Sequence, residues 1–493
     1  MDKFYITTPI YYASGKPHIG HAFSLIYADV LARWQKKKGK NVFFTAGTDE
    51  HGAKIAQKAE DAKINPQEFV DELADIYTDT WHALGIEYSD FIRTTSARHK
   101  KSAQEFFKKI DEAGDIYEGE YEGLYCVGCE NFVLERNLKD GLCPDHKTVP
   151  QKIKEKNFFF NLKKYLPEVK EKIIKGEIKI SPESRKNETL SIIESNIGDF
   201  SVTRESVKWG IPFLRSDLSA GEQTIYVWAE ALVNYLTALD YPNGEKFKIF
   251  WPPDLQVIGA EINKFHTVFW PALLLAAKLP LPREIFIHGL FTIDGQKISK
   301  TIGNVIDPLD LVEKFGADAT RYLLLSQFPA AEHGDVKAEE FVAKYNSDLA
   351  NGAGNLLERS CKMISDYRGG KIKSEIKIDG GVEKIITEAE EKYEKSLNER
   401  NLFEALDAVF HIIKTLDVYI NEKKPWELNK KEDKKSQDNL DEILATLLDG
   451  IKKVSDLLEP FMPAKIKQAK DYIAKLENGE IKEGDRLGLF PRM

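Results

Sequence analysis

The sequence predicts an α/β protein in which a parallel-sheet domain is split by an insertion and followed by an all-α helix bundle. Over residues 1 to about 115, short strands alternate with helices, the order that builds a parallel sheet. The next hundred residues are richer in aromatic residues, glycines and lysines. Beyond about residue 345, helical periodicity continues to near the end with few strand signals, which is typical of a helix bundle.

Composition bounds the class of protein. The 493 residues suggest two to four domains, and 42% hydrophobic with 30% charged residues is typical of a globular chain. No apolar run approaches the roughly 18 residues that span a bilayer, and the start lacks the features of a targeting leader. We therefore expect a cytoplasmic protein with no membrane partner. The net charge of −9 does not exclude a nucleic-acid partner, because binding depends on where the lysines cluster.

The first strand, loop and helix form a candidate anion site. Residues 3–8 predict a buried strand, and apolar residues recur at three- and four-residue spacing from Ile19 to Trp34, which predicts a helix. The helix N-terminus offers backbone N–H groups and the positive end of the helix dipole. His18 and His21 lie there three residues apart, so both rings can face one phosphate. The alternative is a pair of surface histidines on a loop.

A second polar cluster follows the strand predicted over residues 41–46. The run Gly47-Thr48-Asp49-Glu50-His51-Gly52 falls at the carboxyl end of that strand. Ligands gather at this edge of parallel α/β sheets, which makes Asp49 a candidate ligand contact. The alternative is that Asp49 caps the next helix.

Three of the four cysteines lie close together. Cys126 and Cys129 are followed by Cys143 and His146, a set that matches tetrahedral zinc. Four protein ligands leave no open position, so the zinc would be structural. The alternative is a zinc ribbon that grips nucleic acid directly. This use of cysteine also indicates a reducing compartment.

The second half of the sheet domain is predicted to begin with an alternating strand over residues 223–228. The next apolar positions follow at helical spacing and most often mark a core face: Trp228, Ala231, Leu232 and Tyr235. Further on, Lys297 and Lys300 lie in a glycine-containing loop, and such a pair is most often simply exposed to solvent.

Two of these motifs together resemble those of a known family. His18-Ile19-Gly20-His21 and Lys297-Ile298-Ser299-Lys300-Thr301 resemble the HIGH and KMSKS motifs of class I aminoacyl-tRNA synthetases. Further stretches occur in the family's order and narrow the resemblance to methionyl-tRNA synthetases: residues 9–12, 47–52 and 209–212. The resemblance implies a Rossmann-type catalytic domain split by a zinc-binding connective insertion, followed by an anticodon-binding helix bundle.

The resemblance also implies a role for each matching residue. ATP would be bound by His18, Gly20, His21, Gly259, Glu261, Lys297 and Lys300, with the two histidines and two lysines catalytic. Methionine would be bound by Ile10, Tyr12, Asp49, Trp228, Ala231, Leu232, Tyr235, Ile262 and His266. The anticodon would be bound by Asn355, Arg359 and Trp426. The implied partners are ATP with Mg²⁺, L-methionine, and initiator and elongator tRNA(Met).

Predicted domain boundaries follow from the same resemblance. Residues 1–115 and 223–290 form the two halves of the catalytic domain, and residues 116–222 form the insertion with one structural zinc. Residues 291–345 form the KMSKS loop and a stem-contact region, and residues 346–493 form the bundle. A further C-terminal dimerising domain, present in some family members, has no counterpart here, which predicts a monomer.

The chain departs from the family pattern at two aspartates. It has Ala229-Glu230 where the family has Phe or Leu followed by Asp, and Ala260-Glu261 where the family has Lys-Asp. A carboxylate that can accept from ribose hydroxyls survives at position 261, whereas the role of the missing lysine is left open. In the KMSKS motif, Ile298 and Thr301 replace Met and Ser.

Two alternatives remain open from the sequence. One is a related synthetase for leucine, isoleucine, valine or cysteine. The larger apolar amino acids usually require a longer editing insertion, because one methylene discriminates by only about 1–3 kcal/mol. The other is a zinc-containing tRNA-binding protein without catalysis, against which the retained histidines and lysines argue.

Overall fold

The protein divides into two compact units. The structure is a computed structural model. It describes residues 2–126, 131–133, 135, 138–144, 147–195, 197–215, 222–293, 295–297, 305–372, 375–481 and 485–493. The first unit comprises Met1–His82 and Ile86–His288, and the second comprises Ala83–Gly85 and Gly289–Met493. Within the described ranges, no helix is long and apolar enough to cross a membrane.

The first unit alternates strands and helices, as the sequence predicts. Its elements in chain order are β1 (Lys3–Thr7), β2 (Tyr11–Tyr12), α1 (Ile19–Lys37), β3 (Asn41–Asp49), α2 (Ala53–Ala62), α3 (Pro66–Ala83), β4 (Asp90–Arg93), α4 (Ala97–Glu112), β5 (Ile116–Cys126), β6 (Asn131–Val133), β7 (Gln151–Phe160), α5 (Leu162–Ile174), β8 (Lys179–Ser181), α6 (Glu183–Glu194), β9 (Phe200–Ser201), β10 (Thr203–Arg204), β11 (Thr224–Ile225), α7 (Val227–Ala231), α8 (Asn234–Thr237), α9 (Glu245–Phe250), β12 (Leu255–Gly259), α10 (Trp270–Ala276) and β13 (Glu284–His288). A 3₁₀ turn (Ala260–Ile262) and a π-helix (Phe265–Phe269) connect β12 to α10.

A parallel sheet forms the base of the first unit. Its strand order is β2-β3-β1-β12-β13-β8, with β4 paired to β3, and every pair is parallel. β1 lies between β3, from the first half of the domain, and β12, from the second half. The chain connections diverge at the carboxyl ends of β1 and β12, which is where open α/β sheets bind ligands. The predicted parallel α/β class is confirmed.

Helix α1 confirms the periodicity seen in the sequence. The apolar positions that recur from Ile19 to Trp34 are all buried. Because burying one such side chain contributes about 1.5–3 kcal/mol, this face fixes α1 firmly against the core. The helix N-terminus is thereby held at the carboxyl end of β1.

The segment after α4 builds a second, antiparallel sheet. Its strand order is β6-β5-β7-β9, and β5 and β7 pair along almost their whole length. The same segment also returns to the parallel sheet, because β8 pairs with β13 at the edge. One strand of the predicted insertion, β8, therefore belongs to the parallel sheet.

The strand predicted over residues 223–228 is wrong in extent and in partner. Only Thr224–Ile225 forms a strand, and it pairs antiparallel with β10 outside the parallel sheet. Helix α7 begins at Val227, because Val227 and Ala229 are both buried and the core therefore surrounds this stretch on more than one face. A short apolar run does not by itself distinguish a strand from a buried helix.

The second unit is mainly helical, which confirms the predicted bundle. Its elements are β14 (Phe291–Ile293), β15 (Gln296–Lys297), α11 (Pro308–Phe315), α12 (Ala317–Leu325), β16 (Gly334–Val336), α13 (Phe341–Lys344), α14 (Asn355–Arg368), α15 (Gly380–Asn398), α16 (Leu402–Lys423), α17 (Pro425–Leu428), α18 (Lys434–Leu458) and α19 (Pro463–Glu477). A π-helix (Tyr345–Gly354) joins α13 to α14. The buried Arg321 guanidinium donates to Phe461 O at 2.8 Å and to Pro460 O at 3.1 Å, which ties α12 to the turn before α19.

Candidate active site

The two histidines of the first loop form a capping box at the start of α1. His18 is the N-cap, and its Nδ1 accepts from Gly20 N at 3.1 Å, while Nδ1 of His21 accepts from His18 N at 3.4 Å. The two rings stack with centroids 3.7 Å apart. Because each Nδ1 accepts, the ring proton lies on Nε2. Each ring therefore carries an N–H donor at the positive end of the α1 dipole.

Tyrosines hold this loop in place. The Tyr11 hydroxyl donates to His21 O at 3.0 Å, and its ring lies 4.6 Å from the His21 ring, centroid to centroid. The Tyr77 hydroxyl, from α3, donates to Gly15 O at 3.2 Å. Sequence analysis did not single out Tyr77, because its partner lies 62 residues away.

Two consecutive carboxylates end β3 and begin the loop after it. Asp49 is buried, and its carbonyl accepts from Ala13 N at 2.8 Å, which ties it to the first loop. The Glu50 carboxylate is fully buried and accepts from Arg93 Nε at 2.7 Å and Nη2 at 3.1 Å. The N-cap of α2 is Gly52, so Asp49 does not cap that helix. Glu50 serves the scaffold, and Asp49 is left as the candidate ligand contact.

A tyrosine–histidine pair lies in the apolar core. Tyr235 Oη and His266 Nε2 are 2.8 Å apart, and His266 Nδ1 is 3.0 Å from Ile262 O. Burial lowers the pKa of His266 to about 4, so the ring is neutral at physiological pH. Since a carbonyl oxygen only accepts, Nδ1 carries the proton and Nε2 accepts from the Tyr235 hydroxyl. Burial also raises the pKa of Tyr235, which keeps that hydroxyl protonated.

The other predicted methionine contacts are apolar side chains, most of them in the same core. Ala231 and Leu232 are buried, and Ile10, Tyr12, Trp228 and Ile262 are half-buried. The Trp228 ring stacks on Phe265 at 4.7 Å between centroids. Gly47 makes room for Ile10, because a Cβ at Gly47 would lie 2.7 Å from Ile10 Cγ2.

The carboxyl end of β12 carries the predicted ribose contacts. Gly259 ends the strand, and Glu261 is exposed in the 3₁₀ turn that follows. A Cβ at Gly259 would lie 2.7 Å from Glu261 Oε2 and 3.5 Å from His288 Cε1. A methyl group at position 259 would therefore displace the Glu261 carboxylate from this position over the strand end.

Sequence analysis missed a buried network beside these segments. The two carboxylate oxygens of Glu230 lie 2.7 Å from His51 Nδ1 and 2.7 Å from His99 Nε2. All three side chains are at most 2% exposed. Burial raises the pKa of Glu230, but the two adjacent imidazoles outweigh burial and the net shift is downward. No sequence signal points to the network, because its partners are 179 and 131 residues apart.

The predicted KMSKS and zinc residues are only partly within the described ranges. The backbone of Lys297 lies in β15 of the second unit, and Lys300 lies outside the described residues. Cys126 and Cys143 are buried and both lie beside Thr148: Cys126 Sγ is 3.9 Å from Thr148 Oγ1, and Cys143 N donates to Thr148 O at 2.9 Å.

The other two predicted zinc ligands, Cys129 and His146, lie outside the described residues. Among the residues that are described, no group of three potential metal ligands occurs. A zinc site made of all four therefore stays a prediction.

The predicted anticodon residues meet on one surface of the second unit. Asn355 and Arg359 are one turn apart on α14. The Arg359 guanidinium lies 5.5 Å from the centre of the Trp426 ring, and its Nη2 donates to Asn421 Oδ1 at 3.2 Å. Asn355 is exposed, whereas Arg359 and Trp426 are half-buried.

Comparison with known proteins identifies the family. The family model described as tRNA synthetases class I (M) matches residues 4–152 and 146–361. The chain is 42% identical to the methionine–tRNA ligase of Thermotoga maritima over 469 residues, which cover 94% of this chain and 73% of that protein. It is 40% identical to the corresponding ligase of Caldanaerobacter subterraneus subsp. tengcongensis, over 99% of this chain and 79% of that protein.

The chain belongs to the methionine–tRNA ligases, class I aminoacyl-tRNA synthetases. A solved Mycobacterium tuberculosis methionyl-tRNA synthetase in complex with methionyl-adenylate superposes with a TM-score of 0.93 at 32% identity, covering 100% of both chains. The free state of that enzyme gives a TM-score of 0.85 at 30% identity, covering 100% of this chain and 98% of that one. The family predicted from the motifs is confirmed, and the alternative of a synthetase for another amino acid is not favoured.

Proposed function

We propose that this chain activates L-methionine with ATP and transfers the methionyl group to tRNA(Met). A methionine carboxylate oxygen attacks the α-phosphorus, the bond to the β-phosphate oxygen breaks, and pyrophosphate leaves with the electron pair. A hydroxyl of the terminal ribose of tRNA then attacks the methionyl carbonyl, the bond from the carbonyl carbon to the phosphate oxygen breaks, and AMP leaves with that electron pair while the hydroxyl proton is released. The carboxylate is already a competent nucleophile, so catalysis rests on positioning and charge stabilisation.

One observation carries the proposal for the first unit. The carboxyl ends of three neighbouring strands, β1, β3 and β12, carry a donor pair, a buried carboxylate and an exposed carboxylate beside glycine. A phosphate, an ammonium and a ribose need these three kinds of partner. His18 and His21, Asp49, and Glu261 would supply them in that order.

The methionine side chain would lie among the apolar residues near Tyr235 and His266. A thioether is polarizable and packs well against aromatic rings such as Trp228. Because His266 is neutral and its hydrogen bonds are satisfied by Ile262 and Tyr235, the pocket adds no charge that would favour a polar amino acid. Ile10, Tyr12, Ala231, Leu232 and Ile262 would complete the apolar lining.

ATP would be held by the first loop and the β12 end, with Mg²⁺ as its counter-ion. Gly20 lets the helix start approach a phosphate closely, and Gly259 beside Glu261 would seat the ribose. Lys297 and Lys300 would neutralise the pyrophosphate as the α–β bond breaks.

One structural zinc would be bound by Cys126, Cys129, Cys143 and His146. The shared position of Cys126 and Cys143 beside Thr148 supports this site, since thiolates that bind one metal must converge. Metal analysis of the purified chain tests it: we expect one zinc per chain, and none after Cys143→Ser. A full complement of zinc in that variant would contradict the site.

The anticodon of initiator and elongator tRNA(Met) would be read by Asn355, Arg359 and Trp426. Unpaired loop bases are recognised by stacking on aromatic rings and by edge hydrogen bonds, which these side chains can supply. The predicted monomer is checked by sedimentation at several concentrations.

A two-step assay tests the proposed function. The protein is incubated with methionine and ATP, and then with a tRNA transcript that carries a CAU anticodon. We expect methionyl-adenylate by mass spectrometry in the first step and methionyl-tRNA in the second. Adenylate without transfer would contradict the tRNA part alone, and tRNA binding without adenylate would support the non-catalytic alternative.

A further inference from the structure

Glu230, His51 and His99 form a network that connects three of the segments carrying predicted methionine contacts: the loop after β3, α7 and α8. His51 lies two residues after Asp49, and Glu230 lies between Trp228 and Ala231 on and beside α7. His99 Nδ1 is 3.1 Å from Thr237 Oγ1, at the end of α8, two residues after Tyr235. None of the network residues is itself a predicted methionine contact.

The hydrogen bonds of this network have a fixed direction, from the imidazoles to the carboxylate. A carboxylate only accepts hydrogen bonds, so both imidazole nitrogens that face Glu230 must carry protons. Each oxygen of the carboxylate is then used by one histidine, at 2.7 Å in both cases. The orientation of the loop after β3 is thus fixed relative to α7 and α8 by one side chain.

Contacts with Trp209 also fix this loop. Trp209 Nε1 donates to Glu50 O at 2.7 Å, and Gly52 N donates to Trp209 O at 2.9 Å. The His51 ring packs edge-on against the Trp209 ring at 5.5 Å. The loop is therefore clamped between Trp209 and Glu230, which leaves little freedom for the Asp49 backbone at the end of β3.

We propose that Glu230 is a positioning residue for methionine binding. Through His51 and His99 it holds Asp49, the proposed partner of the ammonium group, in a fixed position relative to the side-chain contacts on α7 and α8. This inference rests on the proposed function. The proposal does not extend to ATP, because the predicted ATP contacts His18, His21 and Glu261 lie on segments other than the three that the network connects. Its consequence is an effect on methionine that is separate from any effect on ATP.

The test is the pair of Michaelis constants in ATP–pyrophosphate exchange for Glu230→Gln. Glutamine has nearly the same shape but turns an NH₂ donor toward one imidazole N–H, so one arm of the network is lost. We expect the KM for methionine to rise about 10-fold or more, because a buried hydrogen bond to a charged group is lost. The KM for ATP should stay within about twofold of its value in the unmodified protein. Glu230→Asp keeps a carboxylate and should retain most of the methionine affinity.

A matched control separates positioning from stability. Asp29 is another fully buried carboxylate of the first unit, which accepts from Arg33 Nε at 2.7 Å and Glu87 N at 2.9 Å. Asp29→Asn should lower the thermal midpoint while leaving both Michaelis constants unchanged. Equal changes in the two constants for Glu230→Gln, or none, would overturn the proposal.

A second variant keeps the test decisive if Glu230→Gln does not fold. His51→Asn places an amide N–H near the position of Nδ1 and should preserve methionine affinity, whereas His51→Ala should lose it. If both His51 variants behave alike, the network does not position the loop. No exchange in the unmodified protein would instead contradict the proposed function itself, so the two failures are distinguishable.

Discussion

The candidate adenylate site of the first unit and the candidate anticodon surface of the second are built in opposite ways. In the first unit, Asp49, Tyr235 and His266 are buried, and hydrogen bonds to neighbouring residues fix their positions. On the second surface, Asn355 is exposed, and the half-buried Arg359 lies over the Trp426 ring and donates to Asn421. Substitutions that remove a structural contact at the first site should therefore change stability and ligand affinity together, and conservative substitutions that keep the contact should change ligand affinity alone. Substitutions at the second site should change only binding of the nucleic acid.

The largest effect is expected for His18→Asn. Asparagine is among the best N-caps, so it replaces the Nδ1 cap of α1 but removes the Nε2–H donor. We expect the exchange rate to fall about 10²–10³-fold, as when one donor to a developing oxyanion is removed, with an unchanged thermal midpoint. His18→Ala is the comparison and should lose both activity and stability. Full activity in His18→Asn would show that the Nε2–H of His18 does not stabilise the reacting phosphate.

Asp49→Asn should act next most strongly, and on methionine alone. A charge-assisted hydrogen bond to an ammonium is worth about 1.5–3 kcal/mol, so we expect the KM for methionine to rise about 50-fold. The KM for ATP should not change, which exchange kinetics at saturating methionine can measure. An equal rise in both constants would mean that Asp49 supports the fold and does not contact the ammonium.

Trp426→Ala tests the candidate anticodon surface of the second unit. Base stacking on an aromatic ring is worth about 1–3 kcal/mol, so tRNA(Met) binding should weaken about 30-fold while ATP–pyrophosphate exchange is unchanged. Trp426→Phe keeps a stacking face and should lose much less. Loss of exchange in Trp426→Ala would contradict the separation of the two sites.

The smallest expected effect is a dependence of stability on pH. Burial lowers the pKa of His266 to about 4, below the usual 6.5, so the unfolded chain takes up this proton first as the pH falls. The contribution of His266 to the free energy of unfolding is thus fully present above pH 6.5 and is lost as the pH falls toward 4. Urea unfolding should give about 2 kcal/mol more loss between pH 7 and pH 5 in the unmodified protein than in His266→Gln. The same loss in both proteins would contradict a neutral buried ring.

Sequence patterns predicted the elements whose neighbours lie close in the chain. The apolar spacing of α1 and the position of His18 at its N-terminus follow from local sequence, and both are confirmed. The strand over residues 223–228 was wrong, because period-two alternation over so few residues competes with burial on several faces. Boundaries of such short elements are decided by tertiary packing.

Long-range partners were beyond what the sequence could predict. Glu230 was noted only as a departure from aspartate, and nothing in its neighbourhood indicates that His51 and His99 meet it. The contact between Arg359 and Trp426 was equally invisible to periodicity, although resemblance to the family had grouped them. Resemblance thus supplied the candidate contact residues, and the structure supplied what holds them in position.

ATP–pyrophosphate exchange with five amino acids tests the central claim most directly. The purified protein is assayed with methionine, leucine, isoleucine, valine and cysteine under identical conditions. The account predicts much faster exchange with methionine than with the other four, because the polarizable thioether packs well against the aromatic rings of the pocket. Exchange with leucine or isoleucine as fast as with methionine, or no exchange in protein that still binds tRNA, would contradict it.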